Sequence, residues 1–318
     1  MKENIQQIHV LITGGAGYIG SALVPMLIEK NFKVTVYDLF NYGSESLIAC
    51  SLSENLTLIK GDIRDEEKLK EALKYADIVV HLAAIVGYPA CSKDPELAMS
   101  TNVLGTKLLA KNMRKDQKLI FSSTGSCYGA IPDGFCSEDT PLSPLSLYGQ
   151  TKVEGEKIVQ EANGISLRLA TIFGISQRLR LDLLINHLTY KALTEKHFEV
   201  YEPHFRRTFL HIRDVARAFV FTIENYEKMQ GQVFNVGSDS LNFTKLDICH
   251  LIKNALPDCV ITPTDSGTDA DKRDYQVSYA KIRNLGFKPT VTVQDGIKEL
   301  MSFLPYLSDQ FIKQTTNV

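Results

Sequence analysis

The segment TGGAGYIG, residues 13 to 20, constrains the fold of this 318-residue chain more than any other. It follows the apolar run HVLIT and opens the helical pattern of YIGSALVPMLIEKN. Glycines spaced in this way between a strand and a helix let the backbone turn tightly and approach a pyrophosphate. The helix N-terminus then offers unpaired N–H groups to the phosphates. The segment therefore predicts a dinucleotide site that contains Gly14, Gly17, Tyr18, Ile19 and Gly20.

Two acidic residues extend this prediction. Asp38 ends the run KVTVYD, and an acidic residue about 20 positions beyond such a loop binds the ribose hydroxyls of the adenosine half. Its charge would repel a 2′-phosphate, so we expect NAD rather than NADP. Asp62, in GDIRD, could hydrogen-bond to the adenine amino group with Ile63 at the ring, or it could simply form a turn or a helix cap.

The wider pattern alternates strands and helices. The runs KVTVYD, LTLIKGD, DIVVHLAA and KLIFSST predict strands, and DEEKLKEALKYA predicts a helix. ISLRLATIFG and VFNVGS predict two more strands. Short apolar strands separated by helices indicate βαβ units and a parallel sheet that is covered on both faces. We expect an α/β fold, a Rossmann doubly wound parallel sheet with a smaller C-terminal α/β substrate-binding lobe.

The expected division is a dinucleotide-binding domain over residues 1–174 and a substrate-binding lobe over 175–318. Residues 208–238 are expected to return to the first domain. Residues 314–318, QTTNV, are expected to fray.

Composition excludes several classes of protein. Thirty-five basic and 37 acidic side chains give a charge of -2, which does not favour a nucleic-acid partner. The longest apolar run, ADIVVHLAAIVGYPAC, is too short and interrupted for a membrane span. Six scattered cysteines without a CxxC motif indicate a reduced, cytoplasmic protein. The seven histidines form no metal-binding spacing, so we expect no metal.

A family resemblance rests on several motifs that occur together. These are Gly14–Gly20, Asp62, HLAA at 81–84, Asn102, SSTGSCYG at 122–129, Tyr148–Lys152 and FLHIRDVARA at 209–218. In this order they resemble the extended short-chain dehydrogenases that act on nucleotide sugars. The resemblance implies NAD as cofactor, a nucleotide-sugar substrate, and a homodimer packed through helices that begin near Leu97 and Tyr148. It also implies cofactor contacts from Leu82, Ala83, Ala84, Asn102, Ser122, Tyr148 and Lys152.

The resemblance assigns catalysis to Thr124, Tyr148 and Lys152. Tyr148 matches the general base, Lys152 matches its partner and can hold the nicotinamide ribose, and Thr124 matches the residue that holds the reacting sugar oxygen. Lowering a tyrosine pKa from about 10 to about 7 requires about 4 kcal/mol. One positive charge at about 4 Å supplies about 4 kcal/mol at an effective dielectric of 20. Lys152, one helical turn after Tyr148, together with a cationic nicotinamide ring is therefore sufficient.

Departures from the family narrow the reaction. Dehydratases carry Asp-Glu after the catalytic threonine, where this chain has Gly125 and Ser126. The 3,5-epimerases carry a cysteine at the position of Ser126, and Cys127 is one place away. C4 oxidation, C4 epimerisation and the reverse ketone reduction remain open.

The substrate side is less regular. We expect substrate contacts from Val86, Thr124, Arg180, Asn186, Arg207 and Arg273, because forked guanidinium groups suit a diphosphate. Arg178 and Arg206 could equally be solvated surface residues. The stretches RLATIFGISQRLRLDLLINHLTYKA and DKRDY resemble GDP-heptose 4-dehydrogenases of bacterial capsule synthesis, which favours a GDP-hexose or GDP-heptose.

Three other functions are compatible with the motifs. A 4-epimerase would use the same three catalytic residues. A non-catalytic NAD-binding protein is disfavoured by the intact set of Thr124, Tyr148 and Lys152. A steroid or flavonoid reductase is disfavoured by the arginines at 180, 207 and 273.

Overall fold

The computed structural model describes residues 7–264 and 274–317. Its strands in chain order are β1 (His9–Thr13), β2 (Lys33–Asp38), β3 (Leu56–Lys60), β4 (Ile78–His81), β5 (Lys118–Thr124), β6 (Ala130–Cys136), β7 (Ile165–Leu169), β8 (Thr171–Phe173), β9 (His197–Tyr201), β10 (Arg206–His211), β11 (Val233–Val236), β12 (Asn242–Thr244), β13 (Val260–Thr264) and β14 (Asp274–Val277).

The α-helices complete the chain. They are α1 (Gly20–Glu29), α2 (Glu66–Leu73), α3 (Tyr88–Lys93), α4 (Pro95–Met99), α5 (Thr106–Asn112), α6 (Leu147–Glu161), α7 (Leu184–Thr194), α8 (Ile212–Glu224), α9 (Tyr226–Met229), α10 (Lys245–Ala255), α11 (Ala280–Asn284), α12 (Val293–Phe303) and α13 (Asp309–Ile312). A π-helical turn, Ser100–Gly105, joins α4 to α5.

Seven strands form one parallel sheet in the order β11-β7-β5-β4-β1-β2-β3. The chain starts in the middle with β1, runs outward to β3 and then returns to β4 beside β1. Ligands of such sheets bind at the carboxyl ends of the strands, where the direction of winding reverses. The expected α/β class with a doubly wound parallel sheet is confirmed.

Helices cover both faces because side chains alternate along each strand. Val10 and Ile12 of β1 belong to the apolar cluster that includes α1 and α8. Leu11, between them, belongs to the opposite cluster, which includes α2, α5 and α6. Strand β4 is buried along its whole length, as its continuous apolar run predicts.

The segment ISLRLATIFG was predicted as one strand, and this prediction was wrong. The chain leaves the central sheet at Ala170, whose N–H donates to Val236 O at 3.1 Å. Strand β7 lies before this point in the central sheet, whereas β8 pairs with β10 in a separate three-stranded sheet. An apolar run indicates that its residues are buried, but it does not indicate which sheet each half of the run joins.

Strand β10 overlaps the start of residues 208–238, whose return to the first domain stays a prediction. It pairs with β8 and β12 outside the central sheet. From that range, β11 rejoins the central sheet and α8 packs against α1. Two smaller sheets pair β6 with β14 and β9 with β13.

Three further features concern helix length, the thiols and potential metal ligands. Within residues 7–264 and 274–317, every helix is too short or too polar to cross a membrane. The six cysteines are free, buried thiols. The same residues contain no cluster of potential metal ligands.

Candidate functional site

A cavity of about 800 Å³ opens at the carboxyl ends of the central strands. The predicted site residues that line it are Gly14, Gly17, Tyr18, Ile19, Asp38, Asp62, Ile63, Leu82, Ala83, Ala84, Val86, Ser122, Thr124, Tyr148, Lys152 and Arg180. This volume lies in the upper part of the range for small-molecule and cofactor pockets. The fold therefore brings both halves of the predicted site to one cavity.

Glycine is required at position 14 because the phosphate loop packs closely against the backbone at Ala83. Gly14 has a φ of +73°, and a Cβ there would lie 2.7 Å from Ala83 N. A side chain at this position would therefore push the loop away from the strand-end segment that forms the opposite wall. Gly20, predicted to contact the cofactor, does not line the cavity. A Cβ on Gly20 would lie 2.3 Å from Gly15 O, so it serves packing between the loop and α1.

Asp38 stands at the end of β2 on the cavity wall. Its carboxylate accepts hydrogen bonds from Ala16 N at 3.0 Å and from Phe40 N at 2.8 Å. Burial raises its pKa above the ordinary value, against the effect of these backbone donors. The carboxylate is therefore fixed against the phosphate loop, where the ribose hydroxyls of a dinucleotide would lie.

Asp62 forms a turn rather than capping a helix, since Asp65 caps α2. Its Oδ1 accepts from Arg64 N at 2.8 Å, and the Arg64 guanidinium donates to both carboxylate oxygens. The hydrogen bonds from Arg64 hold the pKa of Asp62 below its usual value. Asp62 and Ile63 both line the cavity, and their contact with adenine remains a prediction.

His81 supports the wall that Leu82, Ala83 and Ala84 form. Its Nδ1 lies 2.6 Å from Thr13 Oγ1 and its Nε2 lies 2.9 Å from Thr106 Oγ1. Because the Thr106 hydroxyl donates to Asn102 O, it accepts from Nε2–H, and Nδ1 accepts from Thr13. Burial, aided by the nearby Lys152 charge, lowers the His81 pKa to about 3. His81 is thus a neutral structural residue.

Asn102 was predicted to contact the cofactor, but it does not line the cavity. Its side-chain amide exchanges hydrogen bonds with the Ile85 backbone at 2.8 and 3.0 Å. It also donates to Thr151 Oγ1 on α6 at 3.0 Å. Asn102 therefore positions the 82–86 wall relative to α6, and its contact with the cofactor stays a prediction.

The catalytic candidates meet where β5 ends and α6 begins. Thr124 is the last residue of β5, and its Oγ1 caps the following turn by accepting from Ser126 N at 3.1 Å. Ser146 caps α6 and places Tyr148 in the first helical turn. A Cβ on Gly149 would lie 3.1 Å from Ser126 O, so glycine lets α6 approach this turn. Thr124, Tyr148 and Lys152 consequently line one part of the cavity.

Lys152 is a buried cation that ties α6 to β5. Its Nζ donates to Ser122 O at 2.8 Å and lies 6.0 Å from the centre of the Tyr148 ring. Burial lowers its pKa to about 8, although Cys127, Cys91 and Glu156 act in the opposite direction. The ammonium is therefore still charged at neutral pH and close enough to stabilise a phenolate on Tyr148.

A buried ion pair lies behind this set. Arg168 on β7 donates to Glu156 on α6 at 2.7 Å, and both side chains are about 5% exposed or less. Ser123 Oγ donates to the same carboxylate at 2.5 Å. Arg168 also donates to Tyr128 Oη at 3.0 Å. The network locks α6 against the ends of β5 and β7.

Positions 125 to 127 offer no acid to the cavity. A Cβ on Gly125 would lie 2.9 Å from the Tyr275 hydroxyl, so an acidic side chain there would have to displace Tyr275. The Cys127 thiol is fully buried beside Ser123 and Glu156, and burial raises its pKa to about 12. Among residues 7–264 and 274–317, the carboxylates that line the cavity are Asp38, Asp62 and Asp94.

Some of the predicted substrate-binding residues line the cavity and others do not. Val86 and Arg180 line the cavity, and Arg180 pairs with Asp182 at 2.5 Å. Asn186 and Arg207 are buried outside the lining. Asn186 instead binds Gly174 N and Arg180 O, both at 2.8 Å, and so positions the 174–180 loop.

Arg206 and Arg273 are the other candidate arginines on the substrate side. Arg273 lies outside the described residues. Arg206, left open as a surface residue, pairs with Asp274 at 3.0 Å and does not line the cavity.

Arg178, Tyr42 and Asn317 are among the lining residues that the sequence analysis did not assign to the site. Arg178 was left open as a surface residue but is 6% exposed. Tyr42 and Asn317 line the same cavity and contact Arg178. Residues 315–317 therefore do not simply fray.

Comparison with known proteins finds matches to one protein family. The model of the NAD dependent epimerase/dehydratase family matches residues 10–237. A dTDP-glucose 4,6-dehydratase of Streptomyces niveus is 27% identical over 93% of this chain and 92% of its own length. A UDP-glucose 4-epimerase of Halalkalibacterium halodurans is 28% identical over 82% and 85%.

A solved structure agrees with these matches. The UDP-glucuronic acid 4-epimerase of Bacillus cereus, in complex with UDP-glucuronic acid and NAD, superimposes with a TM-score of 0.83. It is 27% identical and covers 94% of this chain and 99% of its own.

Proposed function

The chain belongs to the NAD dependent epimerase/dehydratase family, its cofactor is NAD, and from this premise we propose that it oxidises C4 of a nucleotide-activated sugar to give a 4-keto sugar nucleotide. The observation that carries the proposal is the placement of Thr124, Tyr148 and Lys152 in one cavity whose neighbouring positions 125 and 126 lack an acid. The residues present fit NAD, because Gly14 and Gly17 of the phosphate loop line the same cavity as Asp38.

Each catalytic residue has a distinct task. Thr124 Oγ1 holds the C4 hydroxyl, and the Tyr148 phenolate removes its proton. The Lys152 charge keeps the phenolate form accessible near neutral pH. When bound, NAD supplies the acceptor for the hydride that leaves C4. The proton and the hydride together account for the two hydrogens lost from the sugar.

The absence of an acid at 125 and 126 supports oxidation without dehydration. Loss of water from C6 requires proton removal at C5 and protonation of the leaving hydroxyl. Gly125 and Ser126 supply neither a carboxylate nor a thiol, and Cys127 points into a buried polar network. The described lining of the cavity therefore matches chemistry that stops at the ketone.

A GDP-hexose or GDP-heptose is the proposed substrate. The support is the resemblance of RLATIFGISQRLRLDLLINHLTYKA to GDP-heptose 4-dehydrogenases of capsule synthesis, together with Arg180 on the cavity wall. The relatives named above act on UDP- or dTDP-linked sugars, so the choice of nucleobase is tested directly with GDP-, UDP-, dTDP- and CDP-sugars.

The second candidate is a nucleotide-sugar 4-epimerase, and the names of the relatives favour it. It would use the same three residues but return the hydride to the other face of C4. The experiment is a panel of GDP-, UDP-, dTDP- and CDP-sugars with NAD, followed by NADH absorbance and product mass. Loss of two hydrogens supports the dehydrogenase, an unchanged mass with an inverted C4 identifies the epimerase, and loss of water contradicts both.

The general base is tested by Tyr148→Phe. We expect nearly intact NAD binding and a fall in turnover of about 10²–10⁴. Tyr306→Phe, at a highly exposed position, is the matched control and should be as active as the unmodified protein. Normal turnover by Tyr148→Phe would contradict the mechanism.

We also propose the homodimer that the family resemblance implies. Met99 and Leu104, on the helical segment that precedes α5, expose 43% and 47% of their surface. Apolar side chains on a helical face support an interface with a second copy. Light scattering after gel filtration should show a dimer that Leu104→Glu dissociates, whereas Leu52→Glu, at a fully exposed site elsewhere, should not.

The cytoplasm is the proposed location. Six free thiols, all buried, support a reducing compartment. Secretion with disulfide formation would contradict it.

A further inference from the structure

Arg178 is a buried cation that has no carboxylate partner among residues 7–264 and 274–317. Its Nη1 donates to Leu179 O at 2.7 Å, and its Nη2 donates to Asn317 Oδ1 at 2.9 Å and to Thr316 O at 3.3 Å. Within the part of the chain that the structure describes, its Nε–H has no partner. The nearby Asp182 is already paired with Arg180. Burial lowers the Arg178 pKa, as expected for a charge that lacks a compensating anion.

The surroundings of Arg178 belong to the cofactor side of the cavity. Its main-chain N–H donates to Ser21 Oγ at 3.2 Å, and Ser21 lies in the first turn of α1, directly after the phosphate loop. Ser176 Oγ binds Tyr18 O at 2.8 Å in the same place. The Tyr18 hydroxyl donates to Gly174 O at 2.7 Å. The 174–178 loop is thus fastened to the phosphate loop at several points.

The guanidinium then reaches the next cofactor segment. Its Cζ lies 4.1 Å from the centre of the Tyr42 ring, a distance suited to a cation–π contact. Tyr42 follows Asp38 by four residues, and both line the cavity. Arg178 consequently bridges the start of α1, which faces the diphosphate in this fold, and the loop after β2, which follows the ribose-side residue Asp38.

We propose that Arg178 is the counter-ion for the diphosphate of the bound dinucleotide, and that Tyr42 and Asn317 position its guanidinium as a clasp across the cofactor. The proposal rests on the assignment of NAD as cofactor in the proposed function. It gives the buried charge of a residue that lines the cavity an anion. Arg180, which has its own anion in Asp182, is left on the cavity wall for the sugar nucleotide.

The residues 315–317 complete the clasp. Leu181 N donates to Thr315 O at 3.0 Å, and Thr315 is buried. This contact and the two bonds from Arg178 hold the segment against the 178–181 loop. Asn317 therefore acts as a positioning residue that orients the guanidinium.

The test measures binding rather than turnover. NADH fluorescence titration of Arg178→Met should show a dissociation constant about 10- to 100-fold higher than that of the unmodified protein, the range expected when a charge-assisted hydrogen bond is lost. Arg178→Lys should recover part of this loss. Asn317→Ala and Tyr42→Ala should show smaller losses. Arg180→Met is the matched control and should bind NADH normally.

Ligands that contain or lack a diphosphate show which part of the cofactor Arg178 contacts. ADP-ribose should show the same loss as NADH in Arg178→Met, whereas adenosine, which has no phosphate, should bind both proteins equally. GDP and UDP are titrated into the NAD-loaded proteins and should be unaffected by Arg178→Met. An unchanged NADH affinity, or a loss confined to GDP or UDP, would overturn the proposal.

Folding and function are controlled separately. The melting temperature of cofactor-free Arg178→Met should fall little, because removal of an uncompensated buried charge offsets the lost hydrogen bonds to Leu179, Thr316 and Asn317. If Arg178→Met fails to fold, Arg178→Lys and Tyr42→Ala still test the clasp through NADH affinity. If NADH binding weakens as expected but no nucleotide sugar is oxidised, the proposed reaction fails while the clasp stands.

Discussion

Removal of the Lys152 charge gives the sharpest test of how Tyr148 is activated. The ammonium lies 6.0 Å from the centre of the Tyr148 ring. At an effective dielectric of 20, one charge at this distance stabilises a phenolate by about 3 kcal/mol, or about two pKa units. Since the pKa of Lys152 is about 8, the charge is present at pH 7. Lys152→Met should therefore move the acid limb of the pH–rate profile upward by about two pH units.

The assay is kcat/KM for the sugar nucleotide between pH 6 and pH 10 at saturating NAD, because Lys152 is also expected to hold the cofactor. At pH 7 the rate of Lys152→Met should fall by about 100-fold, and it should recover as the pH rises. Lys157→Met is the matched control on the same helix, since Lys157 is exposed and pairs with Glu154. If the acid limb of Lys152→Met lies at the same pH as that of the unmodified protein and the rate is lower at every pH, the electrostatic argument is refuted. Lys152 would then have only a positioning role.

Three further predictions concern the cofactor and the buried polar groups. Asp38→Ala should bring NADP affinity close to NAD affinity in a fluorescence titration, and equal affinities in the unmodified protein would contradict the role of Asp38. Glu156→Gln should lower the free energy of unfolding by about 3–5 kcal/mol in urea titrations, because it leaves the buried Arg168 unpaired; an unchanged midpoint would count against the ion pair. The pKa of His81 is lowered to about 3 in the folded protein. The contribution of neutral His81 to the free energy of unfolding is therefore fully present above pH 6.5, and it is lost as the pH falls toward 3 by up to about 1.4 kcal/mol per pH unit. His81→Gln should reduce this acid sensitivity in unfolding measured at pH 4 and pH 7, and an identical pH dependence would exclude His81 as its source.

The features that sequence predicted are those encoded within one strand-turn-helix unit. Asp38 ends β2 and Thr124 ends β5, and the carboxyl ends of parallel strands necessarily meet at one edge of the sheet. Tyr148 and Lys152 are one turn apart on α6, so their shared face follows from helix geometry. The shared sheet edge and the shared helix face do not depend on how the rest of the chain folds.

The features that sequence missed depend on contacts between distant segments. Arg178 and Arg207 are both arginines in polar stretches, yet one lines the cavity and the other is buried elsewhere. Nothing local distinguishes them, since the burial of Arg178 depends on Tyr42 and on Asn317. Arg168 did leave a signal, because a charge within the apolar run ISLRLATIFG requires a buried partner. Its partner, Glu156, could be identified only from the packing of α6 on β7.

The two buried cations of the cavity connect stability to ligand binding. Within the described residues, neither Lys152 nor Arg178 has a carboxylate within 4.0 Å, and burial lowers the pKa of both. Each charge therefore costs folding free energy in the cofactor-free protein. A dinucleotide diphosphate beside Arg178 and a phenolate beside Lys152 supply the missing negative charges. Ligand binding and the activated state of the base are thus favoured by the same uncompensated positive charges, which is why replacing either cation should impair function without a matching loss of stability.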